Sequence, residues 1–141
     1  MNSKEFYLKS ERCKRISVDI DTHHMKDEHF KVLKVYFALR LLFPDANMSV
    51  KKTRRGFHVK AVDKSIISVP IAKRVDLRDA LGDDPSRIDY ERLKLQLGLK
   101  YWVDTLFKLK RYPDGTISMP EEINPVAFPW VSRLPAKKLA S

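Results

Sequence analysis

A chain of 141 residues that is 43% hydrophobic can bury one core, which excludes wholesale disorder and a second domain of ordinary size. Its 28 Lys and Arg outnumber its 18 Asp and Glu for a formal net charge of +10, a balance that attracts polyanions such as DNA or RNA. Cys13 is the only cysteine, which excludes an intrachain disulfide and a zinc ribbon, and no apolar run approaches the roughly 20 residues of a membrane-spanning helix. We therefore expect a cytoplasmic protein with no membrane partner.

Residues 1–14 are polar and basic, lack the apolar core of a signal peptide, and read as a short helix or arm. Residues 15–21 (RISVDID) alternate strictly, with Ile16, Val18 and Ile20 on one side and Ser17, Asp19 and Asp21 on the other, the signature of a half-buried strand. Residues 25–43 carry Phe30, Val32, Leu33, Tyr36, Phe37, Leu39 and Phe43 at helical spacing; Thr22 or Asp27 can cap this helix, and Pro44 ends it. Residues 48–53 and 57–62 alternate again and are joined by Arg54, Arg55 and Gly56, which predicts a hairpin. Residues 66–69 suit a short strand or a loop. Helices are expected at 72–81 and 86–97, separated by Gly82-Asp83-Asp84-Pro85 and closed by Gly98. Residues 101–109 (YWVDTLFKL) read as a strand, turning at Pro113-Asp114-Gly115 into Thr116–Met119. From Pro120 onward four prolines, Phe128 and Trp130 suggest an irregular arm. The chain thus divides into a basic segment at 1–14, a domain at 15–119 and a Pro-rich arm at 120–141.

The expected fold class is α+β, in the order β-α-β-β-α-β, with a C-terminal hairpin. This is the ferredoxin-like or RNA-recognition-like sheet, with helices on one face and the other face open. If the apolar phase of each strand faces the helices, the open face carries Ser17, Asp19, Asp21, Ser49, Lys51, Thr53, His58 and Lys60, joined by Trp102, Asp104 and Leu106 from the last strand. Asp19, Asp21 and Asp104 would then converge from two adjacent central strands. Clustered carboxylates repel unless a cation compensates them, so this set is a candidate site for Mg²⁺ or Mn²⁺, and His58 and Lys60 could steady phosphate charge beside it.

These residues resemble the motifs of a known family. Ser17-Val18-Asp19-Ile20-Asp21 resembles the first motif of the archaeo-eukaryotic primase and primase-polymerase superfamily. Arg54-Arg55-Gly56-Phe57-His58-Val59 resembles its second motif and Trp102-Val103-Asp104 its third. The resemblance implies metal-binding catalytic roles for Asp19, Asp21 and Asp104, a nucleotide-phosphate contact for His58, and metal-dependent nucleotidyl transfer in the replication of a small genetic element. Residues 82–87, with Asp104 and Phe107, also resemble small uncharacterised proteins of archaeal viruses and plasmids.

Two other readings stay open. A non-catalytic DNA- or RNA-binding domain would use Lys51, Lys52, Arg54, Arg55 and Lys60 on backbone phosphates. An oligomeric interaction protein would use Trp102, Leu106 and the C-terminal arm against a second copy or a replication-protein partner. Asp-x-Asp at a strand end is also a common turn device, His58 suits a hydrogen-bonded surface histidine, and Asp83 and Asp84 suit helix caps.

Overall fold

The computed structural model describes residues 3–22, 28–104, 110–111, 117–118 and 121–123. In chain order these form α1 (Ser3–Lys9), β1 (Arg15–Asp21), α2 (Glu28–Leu42), β2 (Asn47–Lys52), β3 (Gly56–Val62), α3 (Ile71–Ala80), α4 (Pro85–Gln96), β4 (Lys110–Arg111), β5 (Ile117–Ser118) and β6 (Glu121–Ile123). The class is mixed α+β. β3 lies antiparallel between β1 and β2, and the short β6 adds to the far side of β2.

Strand alternation sets the core. Ile16, Val18 and Ile20 stand opposite Ala61, Val59 and Phe57, and Val50 stands opposite Val59. All are buried on one face, where Val32, Val35 and Leu39 of α2 pack over them together with Ile66. Tyr36, Phe43, Leu77 and Leu81 extend this layer. One residue expected on the apolar stripe of α2 departs from it: Phe30 is 62% exposed. Two residues correspond to about 200° around a helix, so burying Val32 turns Phe30 away from the sheet.

The hairpin forms as its residues predict. Thr53 N–H donates to the Gly56 carbonyl at 2.8 Å, and the Gly56 amide donates to the Thr53 hydroxyl at 3.0 Å, leaving Arg54 and Arg55 exposed at the tip. A Cβ on Gly56 would lie 1.8 Å from the Ile20 carbonyl oxygen, so only glycine lets the end of β1 run this close to β3. The neighbouring contact is Thr22 N–H to the Arg55 carbonyl, 2.9 Å. Thr22 is thus tied to the hairpin, while Asp27, the other candidate cap, lies outside the described residues.

Helices α3 and α4 follow the predicted breaks. Asp84 caps α4 by accepting the Ser86 amide at 3.0 Å, with Pro85 in the first turn. Gly82 and Gly98 take positive φ at the two C-terminal ends. There the Asp83 and Leu99 amides reach back to the Arg78 and Lys94 carbonyls, which closes each helix with a Schellman motif.

The sequence expectation fails after Gly98. Residues 100–102 form a short 3-10 turn (Lys100–Trp102) rather than the start of a strand, and Asp104 sits in the left-handed region at φ 62°. Residues 105–109 lie outside the described residues. The backbone of Asp104 explains the departure. Its N–H donates to both Glu91 carboxylate oxygens at 3.0 and 2.9 Å, and its carbonyl accepts from Arg15, so side chains satisfy groups that a ladder would have used. Among the described residues no strand pairs with the outer edge of β1; the α3–α4 connection meets it there, through Asp84 N–H to the Asp19 carbonyl at 2.9 Å. Lys110–Arg111 (β4) pairs antiparallel with Ile117–Ser118 (β5) in a separate two-stranded sheet, and the turn expected at 113–115 lies outside the described residues. Residues 66–69, read as strand or loop, lie largely in a 3-10 turn (Lys64–Ser68) that buries Ile66. Within the irregular arm expected at 120–141, Glu121–Ile123 instead form β6 on the edge of β2; the arm beyond residue 123 lies outside the described residues.

Candidate nucleic-acid interface

The face of the sheet opposite α2 carries the polar phase. Register aligns Asp19, His58 and Lys51 in one row across β1, β3 and β2, and Ser17, Lys60 and Ser49 in another. Asp21 lies beside Gly56 at the hairpin end. The parity expected of Asp19, Asp21, His58, Lys51 and Lys60 therefore holds. Lys52 belongs to the other phase and places its ammonium 5.6 Å from the Phe57 ring centroid, at the rim of the core. Arg54 and Arg55 flank the row at the exposed tip.

This face is not bare along its whole width. At β1 it is closed over: Ser17 is fully buried and His58 is only 4% exposed, against the expectation of an open surface. Ser17 donates its hydroxyl hydrogen bond to Asp104 Oδ1, and Arg87 of α4 reaches both, 3.1 Å from Ser17 Oγ and 2.9 Å from Asp104 Oδ1. His58 Nε2 lies 3.1 Å from Asp19 Oδ1, so the pair is coupled across β1 and β3, with Asp19 still partly exposed and Asp21 exposed.

Asp104 occupies a different setting from the strand position expected of it. Three guanidiniums, Arg15, Arg78 and Arg87, and three buried carboxylates, Asp83, Glu91 and Asp104, form one formally neutral cluster in which Arg78 is buried and Arg15 and Arg87 are partly exposed. Arg78, 1% exposed, donates from Nε to Asp83 at 3.0 Å and approaches Glu91 at 3.6 Å. Arg87 donates to Asp83 at 3.0 Å. Burial alone would raise the Asp104 carboxyl; Arg78, Arg87, Arg15 and the Ser17 hydroxyl outweigh it and hold it below the ordinary carboxylate range. Burial pushes the Asp83 carboxyl up, against the pull of Arg87 and Arg78.

This bears on the metal expectation. The charge of Asp104 is already compensated by arginines, so it does not stand as a third ligand beside Asp19 and Asp21. Among the described residues no three His, Cys, Asp or Glu side chains are grouped to hold a metal ion. Asp19 and Asp21, two apart on one strand, remain the pair through which a divalent ion could be held, as Mg²⁺ often is by one or two carboxylates plus substrate phosphates.

The accessible part of the face lies over β2 and β3. An open depression of about 260 Å³ is lined by Glu11, Asn47, Met48, Ser49, Lys51, Lys60 and Val62. Lys60 Nζ lies 3.2 Å from Glu11 Oε1. Sequence reasoning found the two lysines here but missed Glu11, and it read Asp83 and Asp84 together as caps, whereas only Asp84 caps. The arginine cluster left one trace in the sequence: Arg78 and Glu91 stand three residues after the buried Val75 and Ile88, which places charges on the inward faces of α3 and α4. Among the described residues no helix is long and apolar enough to cross a membrane. Compared with family models, with curated proteins and with solved structures, the chain matches none.

Proposed function

We propose that this protein binds nucleic acid through backbone phosphates, seated on the β2–β3 half of the sheet and on the hairpin tip. The observation that carries this reading is the depression in which Lys51 and Lys60 meet on the helix-free side, continued by exposed Arg54 and Arg55. Lysines on neighbouring strands with arginines at one end suit a strand of negative charges, and the +10 net charge adds long-range attraction. Among the residues of this face whose side-chain exposure is described, none is an exposed aromatic ring of the kind that stacks bases in RNA-recognition modules.

A second reading is divalent-metal-dependent nucleotidyl transfer of the primase-polymerase kind. It is favoured by Asp19, Asp21 and His58 sharing one face at adjacent register positions. The β1-β3-β2 order, with β3 antiparallel between the other two, is the first half of a split β-α-β unit and supports relating the chain to a ferredoxin-like palm. Mg²⁺ or Mn²⁺ on Asp19 and Asp21 would supply charge neutralisation at phosphate oxygens.

One titration series tests both. Binding of labelled single- and double-stranded oligonucleotides is followed by anisotropy over rising salt, in wild type and in Lys51→Ala/Lys60→Ala. Two lost phosphate contacts should lower the slope of log K against log salt by about 1.8 on duplex DNA. An unchanged slope would remove the interface. Mn²⁺ binding and primer extension in Asp19→Ala/Asp21→Ala decide the second reading, which fails if metal affinity is unaltered by the double substitution.

A further inference from the structure

We propose that Glu11 is a built-in competitor for nucleic acid: its carboxylate occupies the Lys60 ammonium in the free protein and must be displaced when a phosphate arrives. The inference rests on the interface described above and goes beyond it, because it assigns a regulating role to a residue outside the sheet.

Three observations support it. Glu11 begins the 3-10 turn (Glu11–Lys14) that leads directly into β1, so the backbone delivers its side chain to the rim of the depression. Its Oε1 lies 3.2 Å from Lys60 Nζ, ion-pair distance, and both groups line the same depression as Lys51. The Glu11 side chain is 51% exposed, so it can swing into water without leaving a buried charge behind, whereas Lys60 at 25% exposure is the better anchored partner. The pair also holds the Glu11 carboxyl below its ordinary range, chiefly through the Lys60 hydrogen bond, so the competitor is charged at neutral pH.

The energetics set the character of the device. Among the described lining residues the depression carries two ammonium groups and one carboxylate, with Glu122 of β6 opposite Lys51 in register; displacing Glu11 exposes the Lys60 ammonium to a phosphate. Exposed ion pairs are weak, so the carboxylate acts as a competitor rather than a block. A polymer that contacts Lys51, Arg54 and Arg55 at the same time can outbid it, whereas a lone anion gains only one contact.

The test uses the full-length protein and labelled oligo(dT), with anisotropy read at low and moderate salt. Glu11→Gln should tighten binding by about two- to fivefold at low salt, the range of an exposed ion pair, and the gain should shrink as salt rises. In a Lys60→Met background the same substitution should lose most of its effect. An unchanged urea midpoint for Glu11→Gln guards against an altered fold. Unchanged or weaker binding by Glu11→Gln, with Lys60→Met still impaired, overturns the competitor and leaves the interface standing. If Lys51→Ala/Lys60→Ala binds as wild type does, the interface itself falls and Glu11 falls with it.

Discussion

Gly56 and Asp104 show two ways in which a single residue is constrained. At Gly56 the constraint is space, because a Cβ would strike the Ile20 carbonyl at 1.8 Å, and backbone cannot yield as a flexible side chain can. Gly56→Ala should therefore cost on the order of 1–3 kcal/mol or more, the usual range for overpacking. Gly98→Ala is the control: its φ of 78° disfavours a side chain, but nothing stands within 4 Å, so its loss should be about 1 kcal/mol. Urea denaturation of both variants gives the ranking, and an equal loss would contradict the close approach at β1. At Asp104 the constraint is charge together with a left-handed backbone. Asn tolerates that conformation, so Asp104→Asn isolates the charge. Leaving Arg15, Arg78 and Arg87 without this carboxylate should cost about 3–5 kcal/mol, as breaking buried ion pairs does. A loss well under about 1 kcal/mol would mean that the cluster holds together without it.

At the level of elements, α4 is the hinge of the design. Its N-terminus is capped by Asp84, and its first turns send Arg87 over Ser17 and Glu91 to the Asp104 amide. Asp84 also ties its own N–H to Asp19 on β1, so capping and docking meet at one residue. Asp84→Ala removes only the side-chain cap and should destabilise by about 1 kcal/mol in thermal or urea unfolding. The backbone bond to β1 survives in that variant. The hairpin is the complementary element: Thr53 closes the turn from inside, and the two arginines stand exposed at its tip.

The whole molecule combines a surplus of surface cations with an interior in which opposite charges are matched. Its response to acid follows from the interior. Asp104 has a depressed pKa in the folded state, so its contribution is fully present above the unfolded value of about 3.9 and is lost as pH falls through the folded value. Asp83, raised by burial, works in the opposite sense and takes up its proton more readily in the folded chain. Urea midpoints from about pH 5 down to about pH 2 should fall in wild type, and the acid-side slope should be shallower in Asp104→Asn. An identical slope in the two proteins would show that Asp104 titrates as an ordinary carboxyl.

The three sheet strands, their polar and apolar phases, both caps around Pro85 and Gly98, and the basic hairpin were legible from residues 15–98 alone, because each depends on period, on φ preference or on neighbours close in sequence. The N-terminal turn that brings Glu11 to Lys60 and the burial of Ser17 and His58 could not be read that way. Nor could the capture of Asp104, since the strand expected at 101–109 had the right residues for extension. At residues 101–104 what overrode it was a set of partners 13 to 89 positions away, Glu91 and Arg15 among them, which satisfy the Asp104 backbone directly. Side-chain alternation says which face a residue takes; only the packed chain decides whether that face is left open to a ligand or sealed by charges from elsewhere.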